Sequence, residues 1–453
     1  MKIKVFGSRL SSATELQVFP PPSKSHSIRF LILAALAKGS SKIDNILISD
    51  DISSAYSCFA SFGVQFKYEN CDGTRQTVHV IPPKEGIFKY AINKKEVFMN
   101  VGNSGTLLYM LSILVASIPA TFHIEGDASI KQRPLQPIIE ALNELNVNYE
   151  TSHSLATEKG TTYQTYKILT IHGRTIESEL NIKLEGQFSQ VVSGLLIASS
   201  FFHAKTHLSL KIAGEAPYIM MTLKHLKKRG IPIHSNKDLT KYECCTLNSF
   251  EGFCEIVPND WSQACFLALA SVASHSPIVI APLLMEKEQA DSNLVNYLKQ
   301  FGCSIHFEND SLKIEPTNQL KASHFNLFNT PDSLPYLAAL CAISNGKSTL
   351  ENIEICRFKE CDRVHAMSIE LAKMNVNILE EKNKLTIYGT PHLKHGSTLC
   401  TYGDHRIAMS LIALCLSLKE DEWCIIEDAE CCKISYPEFI YTLRRLGARI
   451  EEI

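Results

Sequence analysis

The chain has 453 residues, about three times the length of one typical domain, which predicts two or more domains or a repeated unit. Hydrophobic residues make up 45% and charged residues 20%, ample for a large core. With 45 Lys and Arg against 47 Asp and Glu, the net charge of −2 excludes a chain-wide electrostatic hold on nucleic acid. The start, MKIKVFGSRL, lacks the apolar run of a secretory signal. The most apolar stretches, 107–118 and 264–285, are broken by Tyr109, Ser112 and Ser117 and by Ser271, Ser274 and His275. Neither offers the roughly 20 clean apolar residues of a membrane span, so a cytoplasmic protein without membrane association is expected. Of the 15 cysteines, 13 follow residue 240 and none forms a CxxC, which fits reduced, mostly buried thiols and no metal site.

Along the chain, a strand-like start ends at Pro20-Pro21-Pro22, and one segment type then recurs six times. Each copy has a polar start, an apolar helix rich in Ala, Leu and Ser, and a short β-like run. The starts are Lys24, Asn103, Gln187, Asp260, Asp332 and Asp404. A second, amphipathic helix comes next; in RPLQPIIEALNELN the residues Leu135, Ile138, Ile139, Leu142 and Leu145 share one face. Each copy closes on Gly63, Asn146, Gly230, Gly302, Asn375 or Gly447, at spacings of 83, 84, 72, 73 and 72. Gly or Asn at that point is the left-handed helix C-cap, and a fixed period marks a repeat. The unit reads as β-α-β-α-β-β. Its first helix is apolar all round and must be buried. The pattern predicts an α/β (α+β) chain of six units, three per domain. The period shortens between the third and fourth units, which places a boundary near 250–258. The domains expected are 21–257, and 1–20 with 258–453.

Polar residues gather at the starts of the buried helices, where free N–H groups and the positive dipole end suit anions. The sequence loads these ends with Lys24 and Arg29, Arg133, Lys359 and Arg363, His405 and Arg406. This pattern implies an anionic substrate carrying phosphate and carboxylate; solvated surface charge is the competing reading for any one of these cations. GNSGT, bounded by Gly102 and Gly105, is a turn that lets backbone approach a phosphate. No HExxH or GxGxxG occurs, and no Walker lysine comes after GNSGT.

PSKSHSIR, GNSGT, GDASIKQRP, FSQ, APY, NDWSQACF, the PD at 331–332, RFKECDR, GDHRIAM and SYPEF occur in that order over nearly the whole chain. Together they resemble the 5-enolpyruvylshikimate-3-phosphate synthases, the 3-phosphoshikimate 1-carboxyvinyltransferases. The resemblance implies a two-domain inside-out α/β barrel with the active site in the interdomain cleft. It implies transfer of the enolpyruvyl group of phosphoenolpyruvate to the 5-hydroxyl of shikimate 3-phosphate, without metal or organic cofactor, in the shikimate pathway to aromatic amino acids. Partners are then these two small molecules, and a monomer is expected. By motif match, Asp332 and Glu360 carry acid–base chemistry, with Lys24 near both substrates. Asn103, Gly105, Arg133, Gln190, Arg363, His405 and Arg406 join Lys24 around phosphoenolpyruvate; Ser25, Arg29, Ser189, Gln190, Tyr218, Asp332 and Lys359 match positions for shikimate 3-phosphate.

The chain departs from the family at five points. Tyr109 stands where Arg is usual, Phe188 and Glu215 replace serines, and Ile355 stands where some members use Asn. Ile434 takes the place of a lysine, with Lys433 one residue early. Three of these fall on the acceptor side. They raise two further readings, the same chemistry on another acceptor hydroxyl and a catalytically silent ligand-binding homologue. The cell-wall relative that uses a UDP-sugar lacks SKSxSxR and RxKExDR.

Overall fold

In the computed structural model the chain divides into two units, Met1–Ser23 with Pro258–Ile453, and Lys24–Val257. The structure describes residues 1–10, 17–158, 161–247 and 249–453, with side chains outside 152–168. Residues 21–23, which the sequence boundary at 20 assigned to the other domain, belong to the first unit. Ser23 N donates to the Pro258 carbonyl at 2.8 Å, and Asp260 N donates to that of Pro21 at 2.9 Å.

Each unit contains three four-stranded sheets. The second repeat shows the pattern. Glu96–Asn100 runs parallel to Thr121–Glu125, which pairs antiparallel with Thr161–His172, itself antiparallel to Asn148–Glu158. The parallel pair requires a crossover, and the apolar helix Gly105–Val115 supplies it. Leu180–Leu184 and Thr206–Leu210 flank the Ser189–Ser199 helix in the same way.

Two repeats borrow their outer strand from distant chain. Cys254–Ile256 runs parallel to Ser41–Leu47 in the sheet of the first repeat. Gln17–Val18 runs parallel to Ile278–Ile280 in the fourth. Ile3–Phe6 closes the last sheet between Trp423–Ile426 and Ile450–Glu452. The Gly86–Lys94 helix is an addition to the first repeat that the periodicity did not predict.

The apolar helices form the interiors. Every residue of Trp261–Ala273, Leu334–Ala342 and His405–Cys415 is buried. In the other unit Lys24–Leu36, Gly105–Val115 and Ser189–Ser199 are buried over most of their length. Gly194 allows two of these to meet closely, since a Cβ there would lie 3.0 Å from the Met110 Cα. All six repeat closures, Gly63, Asn146, Gly230, Gly302, Asn375 and Gly447, have positive φ, as a left-handed helix cap requires. The cysteines are free, and only Cys71 and Cys254 are exposed. Among the described residues no helix is long and apolar enough to cross a membrane.

Candidate active site

In the Lys24–Val257 unit the GNSGT turn becomes a capped helix start. Ser104 Oγ accepts from Leu107 N at 3.4 Å. Asn103 Nδ2 donates to Asp127 Oδ2 at 2.9 Å, and Asp127 Oδ1 accepts from Ile130 N at 3.0 Å, which ties the turn to the short helix Ile130–Gln132 ahead of Arg133. The Arg133 guanidinium lies against Gly105, where a Cβ would sit 3.4 Å from its Nη1. Asn103, Gly105 and Arg133 are thus brought together. The cation thus stands beside the helix N-terminus, which favours an anion on electrostatic grounds.

Lys24 begins its helix with Nζ 2.9 Å from Oδ2 of the buried Asp51. Asp51 was not among the sequence candidates; a carboxylate in an ordinary first helical turn carries no distinguishing local signal. Arg29 lies deeper than its motif suggests. Only 2% exposed, it donates from Nε to Thr222 Oγ1 at 2.8 Å, from Nη1 to the Ser25 carbonyl at 3.0 Å and from Nη2 to the Tyr218 carbonyl at 3.2 Å. Burial pulls its guanidinium down to about 10, against Tyr218 and Glu215. Arg29 therefore ties Ser25 to Tyr218 from beneath. Ser189, at the head of its helix beside the half-buried Gln190, donates from Oγ to Glu215 Oε2 at 2.8 Å.

In the other unit, three carboxylates hold Arg363. Its Nε lies 2.7 Å from Asp404 Oδ2, its Nη1 lies 2.7 Å from Asp332 Oδ1, and its Nη2 meets Glu360 Oε2. Burial pulls this guanidinium down, but Asp404, Glu360 and Asp332 outweigh it and hold the group well above its ordinary value. Lys359 Nζ is 3.6 Å from Asp332 Oδ1, and Arg406 Nη2 is 3.3 Å from its Oδ2. Burial pushes the Asp332 carboxyl up, yet Arg406, Lys359 and Arg363 together hold it far below the usual carboxylate range. Asp404 also caps its helix, accepting from Arg406 N at 2.8 Å, and His405 is buried in the first turn.

Asp291 organises this end and was missed in the sequence. It accepts hydrogen bonds from Ser262 at one helix start and from Ser333 at another, the latter at 2.6 Å, and lies 3.7 Å from Arg406 at the third. The three buried helices of this unit thus bring their N-termini to one carboxylate. Lys359, Arg363 and Arg406 face Asp291, Asp332, Glu360 and Asp404, so these cations are matched by carboxylates rather than free.

The departures have structural partners. Tyr109 is buried, with its hydroxyl donating to the Pro134 carbonyl at 3.0 Å and its ring centroid 5.4 Å from that of Phe188. Two of the substitutions therefore pack on each other. Ile434 is buried at 9% exposure, as an apolar residue should be, while Lys433 is exposed on the Ala429–Ile434 turn. Ile355 packs against the core.

Residues 9–443 match the family described as EPSP synthase (3-phosphoshikimate 1-carboxyvinyltransferase). The chain belongs to the EPSP synthase family. A 3-phosphoshikimate 1-carboxyvinyltransferase from Methanocaldococcus jannaschii is 33% identical over 435 residues, 95% of each chain. One from Methanocorpusculum labreanum is 30% identical over 455 aligned positions, 100% of each. The fold is shared with the EPSP synthase of Acinetobacter baumannii, at TM-score 0.76 and 21% identity over 99% of each chain. It is shared also with the enolpyruvyl transferase NikO from Streptomyces tendae, at TM-score 0.74 and 16% identity over 99% of this chain and 98% of that one.

Proposed function

We propose that the protein transfers the enolpyruvyl group of phosphoenolpyruvate to the 5-hydroxyl of shikimate 3-phosphate and releases phosphate. It would act as a cytoplasmic monomer without metal or organic cofactor, with its two units as domains that both contribute side chains to one reaction. The observation that carries this reading is the Asp332, Glu360, Arg363 and Arg406 cluster. It supplies carboxylates for proton transfer beside guanidinium groups suited to phosphate and carboxylate.

In this mechanism the acceptor oxygen attacks C2 of phosphoenolpyruvate and loses its proton, while C3 gains one. The resulting tetrahedral intermediate then loses a proton from C3 as the C2–O bond to phosphate breaks, with the electron pair leaving on phosphate. Asp332, ionised in the free protein, takes the hydroxyl proton. Glu360 serves C3. Anionic phosphoenolpyruvate competes for Arg363 and Arg406, which are now paired with carboxylates. As these cations turn to the substrate, Asp332 loses part of the field that depresses its pKa and becomes a stronger base. Lys24, Arg133, Asn103, Gly105, Gln190 and His405 complete the phosphoenolpyruvate set. Ser25, Ser189, Tyr218 and Lys359 serve the acceptor, with Arg29 supporting them.

Phosphate release by the purified chain tests this. Steady release is expected only when both phosphoenolpyruvate and shikimate 3-phosphate are present. No release with both present would refute the assignment.

A further inference from the structure

Glu215 is only 2% exposed and holds a left-handed backbone, φ 48° and ψ 42°, at the head of the Ala216–Lys228 helix, a conformation that non-glycine residues adopt infrequently. Its carboxylate accepts the Ser189 hydroxyl proton at 2.8 Å. The hydroxyl at the start of the Ser189–Ser199 helix is therefore already directed to an internal carboxyl oxygen. The neighbouring position, Phe188, offers a ring instead of a donor.

On the reading above, which places Ser189 at the acceptor, a phosphate ester meets a fixed carboxylate there. Two acceptor oxygens cannot bond without a proton between them. The second pKa of a phosphate monoester is about 6, so the ester itself can take up a proton near neutral pH. A proton carried by the phosphate oxygen would point at the Glu215 carboxylate, which already acts as an acceptor toward Ser189. We propose that Glu215 is a specificity residue that accepts a hydrogen bond from the P–O–H of a singly protonated phosphate ester, so that binding the acceptor takes one proton from solution.

The charged and titratable groups around Glu215 set the local field. Arg29 faces Glu215 from the Lys24–Leu36 helix and offsets its charge, which makes the local pair neutral rather than cationic. Tyr218 comes next on the same helix as Glu215, and Lys224 and His225 lie further along it. His26 and His225 are held neutral, pulled down to about 3 and about 2 by burial and then by the cations around them. Neither can donate near neutral pH. Lys211, on the strand side, is exposed and paired with Glu185 at 3.0 Å.

The test is calorimetric titration of the full chain with shikimate 3-phosphate, near pH 7.5, in two buffers of different ionisation enthalpy. The parent should take up about one proton per ligand bound, and its Kd should rise up to about tenfold per pH unit above the phosphate pKa. Glu215→Gln and Glu215→Ser should take up none and show a flat profile over the same range. Glu215→Gln keeps size and charge-free hydrogen bonding if the serine variant folds poorly. Shikimate, which lacks the phosphate, should bind without proton uptake in every form. Absence of uptake in the parent, or equal uptake in parent and variants, overturns the inference and leaves the acceptor assignment standing. Failure of every form to bind shikimate 3-phosphate, with phosphoenolpyruvate still bound, overturns the acceptor assignment and the inference with it.

Discussion

Nη1 of Arg363 lies 2.7 Å from Oδ1 of Asp332, in a cluster where Lys359 and Arg406 approach the same carboxylate. The proposed base is therefore stored as a salt-bridged anion. Asp332→Asn should lower kcat by about 10²–10⁴, the range of one general acid–base group, with a smaller change in KM. The depressed carboxyl also has a stability consequence with a definite sign. A carboxylate held low in the folded state stabilises it above the unfolded value near 3.9, and that contribution fades as pH falls below it. Thermal melts should show Asp332→Asn less stable than the parent at pH 7, with the gap narrowing below about pH 4. A constant gap would contradict the pairing.

Asp291 gathers three helix starts through Ser262, Ser333 and Arg406. Asp291→Ala strands two buried hydroxyls and leaves Arg406 with one carboxylate fewer. It should cost about 2–4 kcal/mol in urea unfolding, from lost hydrogen bonds to a charged group. It should also raise KM for phosphoenolpyruvate by loosening Arg406. Asp291→Asn, which keeps an acceptor oxygen, should fall between parent and alanine on both measures. Equal effects of the two variants on KM would remove the positioning role.

The rings of Tyr109 and Phe188 pack at 5.4 Å between centroids. Single and double replacements by Leu should show a coupling of about 0.5–1.5 kcal/mol in unfolding free energy. Strict additivity would mean the two substitutions are independent.

His26 and His225 pack edge to face at 5.2 Å between ring centroids, and both are held neutral first by burial and then by nearby cations, Arg29 and Lys224, with Arg229 added at His225. The unfolded chain protonates such groups near pH 6.5 while the folded chain does not. Stability should therefore fall as pH drops below about 6.5, by up to about 1.4 kcal/mol per pH unit for each histidine. Denaturant titrations at pH 5 and pH 7 should show a smaller acid loss in His225→Phe than in the parent. An unchanged loss would show that other groups drive it.

The buried helices were legible because each is apolar on every face and begins at a polar start, and the closures because Gly or Asn marks a positive φ. Of the borrowed strands, the start before Pro20 was legible as part of the C-terminal unit, but its pairing and that of Cys254–Ile256 were not. Gln17–Val18 and Cys254–Ile256 are two and three residues long, too short for an alternating pattern. Among the candidate functional residues, Lys24, Arg133, Asp332, Glu360, Arg363 and Arg406 stand in dense motifs. Asp51 and Asp291 do not, since nothing local in a sequence distinguishes a buried carboxylate from a solvated one. Arg29 shows the converse. Its motif marks it for ligand, and only packing reveals that Thr222, Ser193 and two carbonyls take four of its five N–H groups.

The central claim is addition followed by elimination, with protons moved to and from C3 of phosphoenolpyruvate. The most direct measurement is turnover in D₂O with shikimate 3-phosphate, followed by proton NMR of the carboxyvinyl product. Deuterium should enter its methylene group as phosphate is released, and the rate of both should collapse together in Glu360→Gln. Release of phosphate with the methylene still fully protonated would contradict the account.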